Sequence, residues 1–364
     1  MNKVKVFFDA NFAVGNHRGM GKYVNTFIDV LSTEFNFECT GLLKSNIRKD
    51  GYTTFGFSNY IMWEQVSIGL NVRKYRPDWV VYPYNTAPFF MPKRPKNILM
   101  VHDLIFLVPY KEIGFSSSLV QNIGKLYRRL VVPRAIKNCD LIITVSQHTK
   151  NEIQRVFNPK QEIIVIPNSF EKGLITEAKK TESPKVILHV GGEAPHKNTM
   201  SVISAYARLP LDIQLKYQLK ILGIHSPKSR SYFSKQIDKS GAKGDIELVD
   251  FITNDALNQI YESAVVFVFP SFYEGFGIPL IEAMSRSIPI VCSNQSVMPE
   301  IVGSGGLYFD PNDIDDQADK IVTMLTDKTI RDQVVYNQKA KIIEYEISSV
   351  RDLIKQFIER EIKS

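Results

Sequence analysis

The sequence predicts an α/β protein made of two doubly wound domains. Three observations carry this. At 364 residues the chain exceeds one ordinary hydrophobic core and suits two. Short apolar runs rich in β-branched and aromatic residues alternate with segments of helical spacing. Glu171 to Pro184 is polar, rich in Lys, Glu and Thr and without periodicity, as an interdomain linker is. The expected boundaries are 1–168, a linker over 169–184, and 185–341. A last helix, about 342–364, has Ile343, Val350, Ile354, Phe357 and Ile358 at roughly helical spacing.

Composition narrows the class. Hydrophobic content of 44% and charged content of 23% fit a folded soluble chain. No apolar run reaches the ~18 residues of a membrane span. The longest, Ile98 to Val108, is broken by His102 and Asp103. Cys39, Cys139 and Cys292 are scattered and lack metal spacing, so a reducing compartment is expected. The N-terminus opens on a strand pattern rather than a signal peptide. A cytoplasmic location follows as an expectation.

Charge is uneven. Residues 1–168 hold 22 Lys+Arg against 12 Asp+Glu, a balance of +10; residues 169–364 hold 23 against 26, a balance of −3. The basic half calls for an anionic partner. No nucleic-acid motif accompanies the charge, so an anionic membrane surface or a lipid-phosphate acceptor fits better.

In the first half, strands are expected at Val4–Phe8, Phe37–Leu43, Trp79–Tyr82, Asn97–Val101, Leu141–Val145 and Ile163–Ile166. After the first strand a polar loop runs from Gly15 to Gly21. Tyr23, Phe27, Val30 and Leu31 then recur at helical spacing. Gly19 and Gly21 thus sit at a helix N-terminus, where amides can cradle phosphate, though a plain tight turn explains them equally well. Asn97–Val101 runs into His102-Asp103. A His at the carboxyl end of a buried strand suits chemistry or a sugar hydroxyl; a structural His held by Asp103 is the even alternative. Ser117 to Asn138 reads as a helix with an apolar stripe of Leu119, Ile123, Leu126, Tyr127 and Leu130, the pattern of a core-facing side. Its Lys125, Arg128, Arg129, Arg134 and Lys137, with Lys93, Arg94 and Lys96, make it the candidate membrane-facing surface. Ser146 is a helix N-cap ahead of Thr149.

In the second half, strands are expected at Val186–Val190, Leu219–Gly223, Ile246–Val249 and Val265–Phe269. Gly191 and Gly192 let backbone approach a ligand closely. Lys197 stands near a helix start, where a cation opposes the helix dipole, so a diphosphate between them would resolve the misfit; an exposed surface Lys is the alternative. Phe251-Ile252 could pack on a nucleobase or in the core. After Val265–Phe269 comes Pro270-Ser271-Phe272-Tyr273-Glu274-Gly275-Phe276-Gly277-Ile278-Pro279-Leu280-Ile281-Glu282. Pro279 suits the first turn of a helix. Glu274, Gly275, Phe276, Gly277 and Ile278 therefore lie between a strand end and a helix N-terminus, where open sheets bind ligands. Amides suit phosphate, and Glu274 and Glu282 can accept hydrogen bonds from several hydroxyls. That combination describes a sugar-nucleotide site.

This string resembles the signature of the retaining glycosyltransferases of family 4, which have the two-domain GT-B fold. The resemblance continues through Ser293-Asn294, Pro299-Glu300, Gly303 and Phe309-Asp310-Pro311 and spans nearly the whole chain. It implies two Rossmann-like domains facing across a cleft, an N-terminal acceptor domain and a C-terminal donor domain, with the last helix crossing back to the first. It assigns Glu274 to the transferred sugar, Glu282 to the ribose, Lys197 to the leaving diphosphate, and Gly19, Gly21 and Gly192 to the donor. His196 stands where the family often has Arg, and Ser287 where it often has Gly. His102-Asp103 followed by Pro109 is similar to members acting on mannose-like or rhamnose-like sugars, where the His faces the donor sugar. The implied donors are GDP-mannose or dTDP-rhamnose, with UDP-sugars kept open. The implied acceptor is a glycan or lipid-linked saccharide of surface polysaccharide assembly, on the inner face of the membrane. No metal or other cofactor is expected, since the Asp-x-Asp arrangement is absent from Asp238 to Asp250 and Lys197 and loop amides supply the positive charge. A GT-B epimerase and a catalytically idle sugar-nucleotide-binding subunit are the competing classes.

Overall fold

The computed structural model describes residues 3–14, 19–109, 119–170, 185–250 and 252–362. Gly15, Ser117, Phe251 and the linker residues 171–184 lie outside these. The chain divides into two compact units. One comprises Met1–Val108, Ser118–Ser169 and Ile347–Ser364, and the other has Phe170–Glu346 as its body. The chain rejoins the first unit at Ile347 rather than at 342. The intervening 3-10 turn, Ile342–Tyr345, stays behind because Tyr345 is held there. Its carbonyl accepts from Phe170 N at 3.0 Å, and its ring meets Phe276 edge-on at 5.6 Å. Ile343 is accordingly exposed and outside the terminal helix.

The first unit contains β1 (Lys5–Asp9), β2 (Glu38–Leu43), β3 (Thr53–Thr54), β4 (Trp79–Tyr82), β5 (Lys96–Val101), β6 (Leu141–Thr144) and β7 (Ile163–Val165). They form one sheet in the order β3-β2-β1-β4-β5-β6-β7. Every pairing described is parallel. Parallel strands are covered on both faces, which is why β4, β6 and most of β5 are buried along their length. Strand order reverses between β1 and β4, so the loops after these two strands part there and leave a crevice at their carboxyl ends.

The second unit repeats the plan with β8 (Lys185–Val190), β9 (Tyr217–Leu222), β10 (Ile246–Val249), β11 (Ala264–Phe269), β12 (Ile290–Ser293) and β13 (Gly306–Phe309). Their order is β10-β9-β8-β11-β12-β13, again parallel. The switch point lies between β8 and β11. The short strands β3, β12 and β13 were not expected from the sequence. Their pairing with β2, β11 and β12 in the sheets defines them.

The terminal helix Ile347–Glu361 buries Val350, Ile354, Phe357 and Ile358. It lies against the helix Met20–Thr33, with Phe357 6.0 Å from Phe27 and Lys355 Nζ 3.3 Å from Glu34. Arg351 also pairs with Glu34, at 3.1 Å.

The helix Leu119–Asn138 departs from expectation. Ile123, Leu126 and Leu130 are 63%, 60% and 65% exposed, whereas Lys125 is buried. Val131, Val132, Ala135 and Ile136 provide the buried face instead. The ammonium of Lys125 reaches the Val108 carbonyl at 2.6 Å. Among the described residues no helix is long and apolar enough to cross a membrane.

Candidate active site

The second unit's switch point gathers most of the expected residues. β8 delivers the chain to Gly191, whose Cα backs onto His189. A Cβ at this position would lie 2.1 Å from His189 Nε2, so only glycine fits. His189 is fully buried, with Nδ1 2.9 Å from the Val268 carbonyl and Nε2 3.1 Å from Thr199 Oγ1. A carbonyl only accepts, so Nδ1 carries the proton. Burial pushes this imidazole down to about 4, so it is neutral at pH 7. Gly192 follows with φ +147. Glu193 then accepts from His225 N at 2.6 Å, Ser226 Oγ at 2.8 Å and Ser229 Oγ at 2.9 Å. It anchors the loop to the N-terminus of the helix Pro227–Lys239, as a carboxylate at a helix start does.

A 3-10 turn, Pro195–Lys197, brings the lysine round. Lys197 Nζ stands 2.7 Å from Glu274 Oε1, and both side chains are largely buried. Two further bonds join the same segments. Phe272 N donates to the His196 carbonyl at 2.8 Å, and Asn198 Nδ2 donates to the Pro270 carbonyl at 3.4 Å and, in the loop after β13, to the Pro311 carbonyl at 2.9 Å. Ser296 fixes Glu274 from behind: Ser296 Oγ accepts from Glu274 N at 3.2 Å and donates to its carbonyl at 2.9 Å.

Gly277 is the N-cap of the helix Ile278–Ser285, with φ +91, a conformation glycine takes without a Cβ penalty. The N–H groups of Gly277 and Ile278 make no hydrogen bond among the described residues. They are the donors a helix start offers to an anion. Gly275 shares this loop. Phe276 does not present its ring: it is buried against Tyr345, so only its backbone can serve a ligand. Glu282 accepts from Tyr261 Oη at 2.8 Å, and Arg286 stacks 4.6 Å from the Tyr261 ring.

Gly19, Gly21 and His102 belong to the first unit. Gly19 caps the helix Met20–Thr33 with φ +75, and Gly21 is buried in its first turn. Tyr23 links them to His102, edge-on at 5.3 Å. His102 is not held by Asp103. Its Nε2 lies 2.8 Å from the Pro83 carbonyl, while Asp103 Oδ1 accepts from Ile105 N at 3.2 Å. The chain turns away after Val101, which points the Asp103 carboxylate at its own backbone. Nε2 is therefore protonated, and Nδ1 offers a lone pair with no partner among the described residues. Burial pushes His102 below the usual imidazole range.

Glu193, Asn198, His189 and Ser296 escaped sequence reading. Glu193 and Asn198 adjoin Gly192 and Lys197, so proximity to that motif was the available signal. Among the described residues no group of three His, Cys, Asp or Glu could hold a metal ion.

Residues 173–341 match the family model described as glycosyl transferases group 1, and residues 44–171 match that of glycosyltransferase family 4. O-antigen chain mannosyltransferase B of Escherichia coli is 30% identical over 268 residues, covering 70% of this chain and 68% of that protein. O-antigen chain mannosyltransferase RfbU of Salmonella typhimurium is 28% identical over 307 residues, covering 81% and 84%. Sucrose-phosphate synthase from Thermosynechococcus elongatus superposes with a TM-score of 0.76 at 16% identity, over 99% of both chains. Two parallel-sheet units of this design define the GT-B fold. The chain belongs to the group 1, family 4 glycosyltransferases.

Proposed function

We propose that this enzyme transfers mannose from GDP-mannose, with retention, to a lipid-linked saccharide in surface polysaccharide assembly. The Lys197–Glu274 contact carries the site assignment. The mannosyltransferase relatives support the sugar and the setting over rhamnose from dTDP-rhamnose. Lys197 and the Gly277 and Ile278 amides stabilise the departing diphosphate, where negative charge develops, without a metal ion. Glu274 orients the sugar and stabilises positive charge at its anomeric carbon. The bond from that carbon to the phosphate oxygen breaks. The acceptor oxygen bonds on the same face, and its proton passes to the departing phosphate. Gly19, Gly21 and Gly192 approach the donor phosphates, Glu282 the ribose, and His102 Nδ1 accepts from a donor-sugar hydroxyl.

The exposed stripe Ile123, Leu126 and Leu130 shares its helix with exposed Arg128 and Arg134. Arg134 lies over the Phe89 ring at 4.2 Å, beside Phe90, which is 81% exposed. Apolar side chains flanked by arginines suit peripheral contact with an anionic membrane on its inner face.

A thermal-shift series against GDP, UDP, dTDP and their sugars, with EDTA present, tests the donor. A ligand at 100 times its Kd adds about 2.7 kcal/mol to the folded state. A shift with GDP and GDP-mannose is expected. A shift with UDP or dTDP alone would overturn the donor, and loss of the shift in EDTA would overturn metal-free binding.

A further inference from the structure

Two buried carboxyl groups in the first unit take no part in the chemistry above. Asp9 closes β1, and Glu64 lies on the turn Trp63–Ser67; they are 4% and 1% exposed. Neither forms an ion pair with Lys, Arg or His among the described residues. Tyr60 stands between them, its Oη 3.1 Å from Asp9 Oδ2 and 3.1 Å from Glu64 Oε1. A hydroxyl has one hydrogen and can donate to only one of two carboxylates. The other contact needs a proton from the carboxyl group itself.

The remaining donors decide where that proton sits. Glu64 accepts from Thr86 Oγ1 at 2.5 Å, from Gln65 Nε2 at 3.2 Å and from the Tyr127 hydroxyl. Three donors suit a carboxylate. Asp9 accepts from Asn11 N at 2.9 Å and Asn11 Nδ2 at 2.8 Å, both on Oδ1, which leaves Oδ2 facing Tyr60 alone. The proton belongs on Asp9 Oδ2. It donates to Tyr60, which donates to Glu64. Burial is the main cause that pushes Asp9 up to about 7, with the Glu64 charge adding to it, and burial raises Glu64 as well. The tyrosines facing the pair, Tyr60, Tyr82, Tyr84 and Tyr127, are pushed above their usual range and stay neutral.

Asp9 also anchors the loop that follows it. Asn11 Oδ1 accepts from Lys44 N at 3.1 Å, and Phe12 N donates to Tyr84 Oη at 3.3 Å. The Phe12 ring meets Tyr60 at 5.8 Å and Tyr84 at 4.8 Å. Asn25, on the helix Met20–Thr33, donates to the Ala13 carbonyl at 3.1 Å. The loop thus ties the strand end to the helix capped by Gly19.

We propose that Asp9, Tyr60 and Glu64 hold one shared proton that fixes residues 10–14 and, through them, the glycine turn at Gly19 and Gly21, so that losing the proton weakens turnover. The last clause rests on reading that turn as part of the donor site. Asp9 is a positioning residue and touches no substrate.

The test is an infrared titration of the full chain from about pH 5 to about pH 9, with kcat/KM for GDP-mannose over the same range. The wild type should show a protonated carboxyl band that disappears with a midpoint near 7. Its kcat/KM should fall about tenfold per pH unit above that midpoint. Asp9→Asn keeps a donor towards Tyr60 at every pH, so it should lack both the band and the alkaline fall. Tyr60→Phe cuts the bridge and should move the midpoint. Absence of the band at about pH 6 overturns the proposal. So does an alkaline fall that persists in folded Asp9→Asn or, if that variant does not fold, a midpoint unmoved in Tyr60→Phe. The band is read without donor. If it titrates while GDP-mannose is not turned over, the donor reading fails instead, and amide exchange at Phe12 and Ala13, whose N–H groups bond Tyr84 Oη and the Ala10 carbonyl, decides the positioning. Exchange quickening above the midpoint, beyond its intrinsic pH dependence, in the wild type but not in Asp9→Asn supports it; equal behaviour overturns it.

Discussion

Lys197 Nζ and Glu274 Oε1 meet at 2.7 Å and join the loop after β8 to the loop after β11. These two strands flank the switch point of the second sheet. The contact brings a cation and a carboxylate to one place, and it is the pair to which the proposed function assigns the leaving diphosphate and the sugar.

Removing the cation should cost donor binding and turnover. Lys197→Ala is expected to lower kcat/KM about 10- to 100-fold, or about 1.4–3 kcal/mol, with the fold retained. Steady-state kinetics beside a melting curve separates this from unfolding. Unchanged kcat/KM would remove Lys197 from the site.

The loop before it tolerates no side chain at its first position. Gly191→Ala places a Cβ 2.1 Å from His189 Nε2. Overpacking of this kind costs about 1–3 kcal/mol. Urea unfolding of this variant should show a lowered midpoint. A midpoint equal to wild type would mean that His189 moves aside freely.

His189 also carries a pH signature. Its folded value of about 4 lies below the ordinary histidine value near 6.5. Between the two, the unfolded chain binds a proton that the folded chain does not. Stability contributed by neutral His189 is therefore complete above about 6.5 and is lost as pH falls towards 4, by on the order of 3 kcal/mol. Denaturant unfolding at several pH values should show this decline, and His189→Asn should shrink it. An identical decline in that variant would assign it to other groups.

The exposed stripe should matter only at a membrane. Ile123→Glu with Leu126→Glu alters exposed positions, so stability should change by no more than about 0.5 kcal/mol per site. Co-sedimentation with anionic vesicles should drop several-fold, while activity on a water-soluble acceptor stays. Equal vesicle binding would discard this helix as the contact.

Much of this was legible because parallel strands announce themselves. Val265–Phe269 is apolar and β-branched, and Gly277 with Pro279 marks the helix start that follows it, as found. The site's supporting bonds were not legible. His102 takes the Pro83 carbonyl rather than Asp103, because the partner comes from the loop after the neighbouring strand β4 and not from adjacent sequence. Helical spacing in Leu119–Asn138 identified an apolar face correctly but not its direction. Val131, Val132, Ala135 and Ile136 compete for the same core and win it, leaving Leu126 outside and Lys125 inside. Periodicity reports that a face exists, and tertiary packing decides which one is covered.

The most direct measurement pairs GDP-mannose turnover with GDP affinity in wild type and Glu274→Gln. The carboxylate is assigned to the sugar rather than to the nucleotide, and Gln keeps its shape without its charge. GDP affinity should remain within a few-fold, while turnover falls by at least about 100-fold, the loss expected when one group that stabilises developing charge is removed. Turnover equal to wild type in a folded Glu274→Gln protein would contradict the account.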